Sequence, residues 1–362
     1  MGSSAYTNSD LTPELVIVRD QIRKYAMDFG LDFFDVIFEM VDHEQINSLA
    51  ALGGFPVRYP HWRFGMDYDQ LSKGYAWGLQ KIYEMVINTN PSYAYLMKSN
   101  NLVDQKTVIA HVYGHVDFFK NNYWFSKTNR KMLDQMANHA VKIRNYMDRY
   151  GQDKVETFID SCLAIENLID PFLPFSNPKK PPPKGDEPVL TPEVGKIKSN
   201  RQYMDQYINP PEFLEEQKKR MEQEARKSKK NPPSPQKDIL AFLLDNAPLE
   251  QWEHDVLSII RDEAYYFAPQ AQTKIMNEGW ASFWHSRIMT QKALKDSEIV
   301  DFSDHHAGTM AMQPGRINPY KVGIELFRDI EDRWNRGKFG KEYDECDDMV
   351  AKAKWDTNLG KG

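Results

Sequence analysis

Apolar positions along most of this chain recur every three to four residues, the period of a helix that buries one face. Leu15, Val18, Ile22 and Tyr25 follow this spacing behind Thr12-Pro13-Glu14, a suitable helix start, and Gly30 ends the run. Ser72 to Asn88 reads as a further helix through Leu79, Ile82, Tyr83 and Val86, stopping at Asn90-Pro91. Thr107 to Phe119 is apolar nearly all round, which predicts a buried helix. Arg130 to Tyr150, Val155 to Leu168, Asp238 to Leu244, Leu249 to Ala264, Ala271 to Thr290 and Tyr320 to Asn335 complete the helical set. Asp32 to Val41 suits a short strand or a helix, because periodicity does not separate the two over so few residues. Asp304 to Pro319, with Gly308, Pro314 and Gly315, reads as a long loop.

Residues 174–237 break this pattern. They hold 12 of the 21 prolines and many lysines, as expected of a linker or arm. Within them Pro211 to Lys227 suits a solvated charged helix, and the basic run Arg226 to Lys230 reads as solvated surface. The expected organisation is therefore mainly α. An N-terminal helical part spans 1–173, a proline-rich arm 174–237, a C-terminal helical part 238–340 and a polar tail 341–362.

Composition narrows the function classes. The formal net charge of -6 lacks the basic excess of a general nucleic-acid binder. No apolar run approaches about 18 residues, so no membrane span is expected. The N-terminus lacks the basic-then-apolar order of a signal peptide. Two cysteines, Cys162 and Cys346, make no disulfide framework and suit a reducing, cytoplasmic setting.

Chemistry concentrates in four places. His111-Val112-Tyr113-Gly114-His115 sets two imidazoles four apart, on one helix face, where they can share a metal ion. Two core histidines bonded to backbone or carboxylates is the alternative. Asn277-Glu278-Gly279-Trp280-Ala281 through His285 is similar to the ligand-glutamate helix of gluzincin peptidases. The expected ligands are His111, His115 and Glu278, with His285 as a fourth ligand or an outer partner, and zinc is the expected divalent ion. One departure is plain: Val112 stands where an H-E-x-x-H peptidase carries its general base. Glu84 and Asp117 are the expected substitutes, with Glu263 a third carboxylate to weigh; structural ion pairs are the alternative for each. Arg58, His61 and Arg63 lie in an aromatic-rich string that suits carboxylate or phosphate binding, or structural bridging. Asp304-His305-His306 and the loop to Arg316-Ile317-Asn318-Pro319-Tyr320 form the fourth place. Adjacent histidines point to different sides, so one at most joins a shared site, and ligand, substrate contact and plain surface all remain open.

Several long strings identify a family likeness. They are Gly53-Gly54-Phe55-Pro56-Val57-Arg58-Tyr59-Pro60-His61-Trp62-Arg63-Phe64-Gly65, Lys81 to Pro91, Ile109 to Asn122, Met276 to His285 and Ile317 to Gly323. With them the chain resembles the stage V sporulation protein R (SpoVR) family over about residues 15–340, apart from the proline-rich arm. The resemblance implies a cytoplasmic protein involved in sporulation and in forming the spore's peptidoglycan cortex. It also implies links, in non-sporulating cells, to a stress-response serine kinase and a second partner. It supplies no reaction. Three readings follow: a metal-dependent hydrolase of an amide bond in a cell-wall peptide or precursor, a non-enzymatic regulator with a structural metal or none, and, last, a di-metal helical oxidase, which lacks the needed Glu-x-x-His pairs.

Overall fold

The computed structural model describes residues 11–77, 84–176, 210–228 and 237–361. Helix α1 (Pro13–Asp28) starts where the sequence places it, with Thr12 Oγ1 accepting from Leu15 N, and buries Leu15, Val18 and Ile22. Strand β1 (Val36–Val41) resolves the ambiguous Asp32–Val41 stretch as a strand. Helices α2 (His43–Ala51) and α3 (Trp62–Ala76) follow. Strands β2 (Glu84–Ile87) and β3 (Ser92–Met97) complete a three-stranded sheet in the order β1-β3-β2. β1 runs parallel to β3, and β2 antiparallel to it, with Glu84 opposite Leu96.

The helix expected over Ser72–Asn88 is thus corrected. Residues 72–76 end α3, Leu79, Ile82 and Tyr83 lie outside the described residues, and Glu84 sits on a strand. Pairing with β3, a strand the periodicity did not reveal, overrides the local helical spacing. Strand alternation then sorts the side chains. Phe38, Val86, Ala94 and Leu96 enter the core shared with α1 and with α4 (Leu102–Asn121). Met85, Ile87, Tyr95 and Met97 face a second core with Ile46 and Leu49 of α2 and with Met132 and Met136 of α5 (Met132–Tyr150). Glu84 shares the parity of Val86 and so is directed to the α4 side.

α4 is buried all round from Val103 to Phe119, as its apolar surface requires. A third core gathers Ile143 of α5, Val155 and Ile159 of α6 (Gln152–Leu163), Leu240 of α8 (Ile239–Asn246) and Trp252 and Val256 of α9 (Gln251–Gln272). Between them the described part of the arm carries the charged helix α7 (Pro211–Ser228). α9 runs continuously through a buried Pro269 and breaks at Thr273, beyond the expected stop at Ala264. After it come α10 (Lys274–Ile288), α11 (Ile299–Thr309) and α12 (Pro319–Arg336).

α11 corrects the long loop expected from Asp304. Phe302 is buried against Val103 and Met289, and Gly308 falls in the last turn, where a glycine disrupts little. The tail after Gly340 also does more than its polarity suggests. Short helices α13 (Lys341–Asp344) and α14 (Met349–Ala353) fold it back, and Thr357 N and Gly360 N bond to Arg336 O and Asn335 O at the end of α12. No described helix is long and apolar enough to cross a membrane.

Two close helix crossings position the chemistry. A Cβ on Gly114 of α4 would lie 2.7 Å from Ala281 Cα of α10, and one on Gly279 of α10 would lie 2.4 Å from Gly323 Cα of α12. Only glycine permits such approach. α4, α10 and α12 therefore meet beside His111, His115 and Glu278.

Candidate metal centre

His111 and His115 project from one face of α4, with ring centroids 4.4 Å apart. Glu278, on the adjoining α10, reaches both: its Oε2 lies 3.5 Å from His111 Nε2 and 3.5 Å from His115 Nε2. The three ligand atoms lie within 4.8 Å of one another. A separation of 3.5 Å is too long for a hydrogen bond. It fits two donors around one tetrahedral ion, because bonds of about 2.1 Å give donor–donor edges of about 3.4 Å. His111 Nε2 and Glu278 Oε2 are buried and have no hydrogen-bond partner. Such atoms are costly to leave alone, and a cation placed between them would satisfy both.

The outer contacts orient the rings. Asn277 Oδ1 lies 2.9 Å from His115 Nδ1 and can only accept, so Nδ1 carries the proton and Nε2 offers its lone pair to the common point. His111 Nδ1 lies 2.8 Å from His285 Nδ1, and His285 Nε2 lies 3.2 Å from His306 Nδ1. His285 is therefore behind His111, bonded to its far nitrogen, rather than a fourth ligand. Burial holds the His285 imidazole well below its usual pKa, reinforced by His111 and His306.

Electrostatics join Glu278 to the histidines. Burial pushes its carboxyl upward, but the charges of His115 and His111 outweigh it and hold it well below the usual carboxylate range. Burial lowers His115, and the Glu278 carboxylate overturns that to a net rise. Glu84 enters from β2, Oε1 3.9 Å from His111 Nε2. Burial raises its pKa, opposed by His111 and His115 and assisted by Glu278. Tyr320, in the first turn of α12, sets its ring 6.0 Å from that of His111, tilted by 31°. Burial and then the two carboxylates, Glu278 and Glu84, push its phenol far up, so it stays protonated as a donor.

The remaining expected residues lie elsewhere. Asp117 is corrected to an anchor: Oδ1 accepts from Asp32 N at 2.7 Å and Asn121 Nδ2 at 3.1 Å, and Oδ2 from Trp280 Nε1 at 2.7 Å. Two residues beyond His115, it points off another face of α4. Arg58 is buried against Glu263, with its guanidinium 4.7 Å from the Phe64 ring, so it has no free fork for a substrate. His61 Nε2 lies 3.1 Å from Asp160 and Arg63 3.7 Å from Glu166. His305 pairs with Asp104, and Arg316 is exposed in the segment before α12. Sequence reasoning missed Tyr320 and the roles of Asn277 and His306. Tyr320 did fall in the candidate segment that starts at Asp304-His305-His306 and in the family-like string Ile317 to Gly323, neither of which gave it a role.

Comparison with protein families matches residues 10–362 to SpoVR, described as SpoVR like protein. The chain belongs to the SpoVR family. It is also 34% identical over 331 residues to the uncharacterized protein YcgB of Escherichia coli (strain K12), covering 86% of this chain. The matched region spans 62% of that relative's length. No solved structure matches.

Proposed function

We propose that this SpoVR protein is a metal-dependent hydrolase whose divalent ion, zinc by the two-nitrogen, one-oxygen donor set, is held by His111, His115 and Glu278. The observation that carries the reading is the pair of 3.5 Å gaps at buried atoms without hydrogen-bond partners. A zinc ion supplies Lewis acidity and an activated water. The chain's own residues divide the rest. Glu84 stands beside His111 and takes the proton-accepting role that Val112 cannot. Tyr320 donates a hydrogen bond to developing negative charge. The sporulation link favours an amide bond in a cell-wall peptide or precursor as substrate, and the helical arrangement of ligands is like that of gluzincins.

Elemental analysis tests the site: about one equivalent of zinc is expected, lost in a folded His111→Ala/His115→Ala variant. A metal-free wild type overturns it. Hydrolysis of cell-wall peptides is expected to vanish in Glu84→Gln while zinc remains bound; unchanged turnover removes Glu84 as base. Val112, fully buried at the usual base position, favours a second reading, a non-enzymatic regulator with a structural metal. That reading predicts retained zinc with no amide hydrolysis, and unfolding when the ion is chelated.

A further inference from the structure

The histidines behind the centre form a row of their own. It runs from His111 on α4 through His285 on α10 to His306 on α11, with nitrogen–nitrogen separations of 2.8 and 3.2 Å. Each imidazole has one donor and one acceptor nitrogen when neutral. If His111 Nε2 faces the ion as a lone pair, its Nδ1 must donate to His285 Nδ1. His285 Nε2 then carries the proton and donates to His306 Nδ1. The row therefore starts from the metal-facing nitrogen of His111 and needs an acceptor at its last member, His306 Nδ1.

That last member is firmly seated. His305, the neighbour of His306, pairs with Asp104 of α4. Lys106 of α4 holds Glu298, just before α11, at 2.7 Å, and also donates to Ala293 O at 3.2 Å. Phe302 fills the space against Val103 and Met289. His306 also borders a cavity of about 460 Å³ between α10, α11 and α12.

We propose that His285 and His306 are positioning residues for the metal centre, and that docked α11 supplies the last acceptor of a row that keeps the proton of His111 on Nδ1 and its Nε2 free for a divalent transition ion. This rests on the metal reading above. The outer partners here are an amide on His115 and an imidazole on His111. They orient the ligands in place of the carboxylates that often serve.

The test is metal affinity, measured on the full chain by competition with a chromophoric chelator, using zinc and cobalt(II) as probes. Removing the acceptor in His285→Leu is expected to weaken binding about 10–100-fold and to alter the cobalt absorption bands. His285→Asn is expected to restore affinity to within a few-fold of wild type, because Asn277 shows that an amide oxygen serves as acceptor for a ligand histidine in this same protein. His306→Leu is expected to weaken binding about tenfold. Wild-type affinity in both leucine variants overturns the proposal while leaving the metal site intact. Equal loss in His285→Asn and His285→Leu also overturns it, since packing rather than the acceptor would then matter. If His285→Leu does not fold, His306→Leu decides alone, with unchanged affinity the overturning result. A wild type that binds neither probe overturns this proposal together with the metal reading.

Discussion

Glu263 and Glu278 each sit in a buried cluster with histidine, and among the described residues the Glu263 carboxylate is paired with an arginine side chain while the Glu278 carboxylate is not. At Glu263, Oε2 pairs with Arg58 and Oε1 lies 3.1 Å from His139 Nδ1, with the guanidinium laid over aromatic rings. At Glu278, two imidazoles approach to 3.5 Å and stop, and no arginine or lysine among the described residues pairs with the carboxylate. A buried carboxylate needs a cation. The first cluster contains one as a side chain. The second leaves room for one of atomic size. The contrast separates a structural pin from a binding site, although both look alike as buried charged residues.

The largest expected effect breaks the closed cluster. Glu263→Ala leaves Arg58 and His139 buried without their carboxylate and is expected to cost about 3–5 kcal/mol of stability. Denaturant melts measure this, and zinc binding by the variant should persist wherever it folds. Next comes the open cluster. Zinc at about 100 times its Kd should stabilise wild type by about 2.7 kcal/mol, and His111→Ala/His115→Ala should abolish that increment. Equal zinc-dependent shifts in both proteins would erase the distinction between the clusters.

The two regions also differ in how far the sequence discloses them. The i, i+4 spacing of His111 and His115 needs only a helix, and the apolar run around them supplies it. Glu278 was marked by its string rather than by any spacing to α4. Glu84 was read on the wrong element, because the β2–β3 pairing that turns it toward His111 is a tertiary contact. The Arg58–Glu263 pair joins residues 205 apart and was open to a substrate-binding reading. Helix periods survive in a single sequence because they are local. Partners across the core do not, and the donor or acceptor state of each histidine follows from those partners.

A smaller effect sharpens the geometry of the open cluster. Gly279 neighbours Glu278, and a Cβ there would meet Gly323 backbone at 2.4 Å. Gly279→Ala is expected to cost about 1–3 kcal/mol, because neither helix backbone can yield as a side-chain end would. By separating α10 from α12 it should also withdraw Tyr320 from Glu278 and weaken zinc binding. A variant with wild-type melting and affinity would show that the crossing does not set the site.

The smallest expected effect concerns another closed pair, on the same helix as Glu263. Asp238 is buried and accepts from Arg261 Nη2 at 2.7 Å, Tyr265 Oη at 2.7 Å and Ala241 N at 2.8 Å. Burial pushes its carboxyl up, but these bonds from Arg261, Tyr265 and Ala241 together hold it below its ordinary value. A folded-state pKa below the unfolded one of about 3.9 means the carboxylate's stabilisation is complete above that pH. It is lost as pH falls through the folded value. Asp238→Asn keeps the helix cap but not the charge, and should cost about 1 kcal/mol at neutral pH. Its melting temperature should then fall less than that of wild type on acidification from pH 5 to pH 2. Because Asp238 bonds to Ala241 of α8 and to Arg261 and Tyr265 of α9 rather than to α4, α10 or α12, zinc affinity at neutral pH should be unchanged. A parallel acid slope in the two proteins would mean that Arg261 gives Asp238 no preferential hold in the folded state. The rule that internally supplied cations mark structural rather than binding carboxylates would then rest on Glu263 alone.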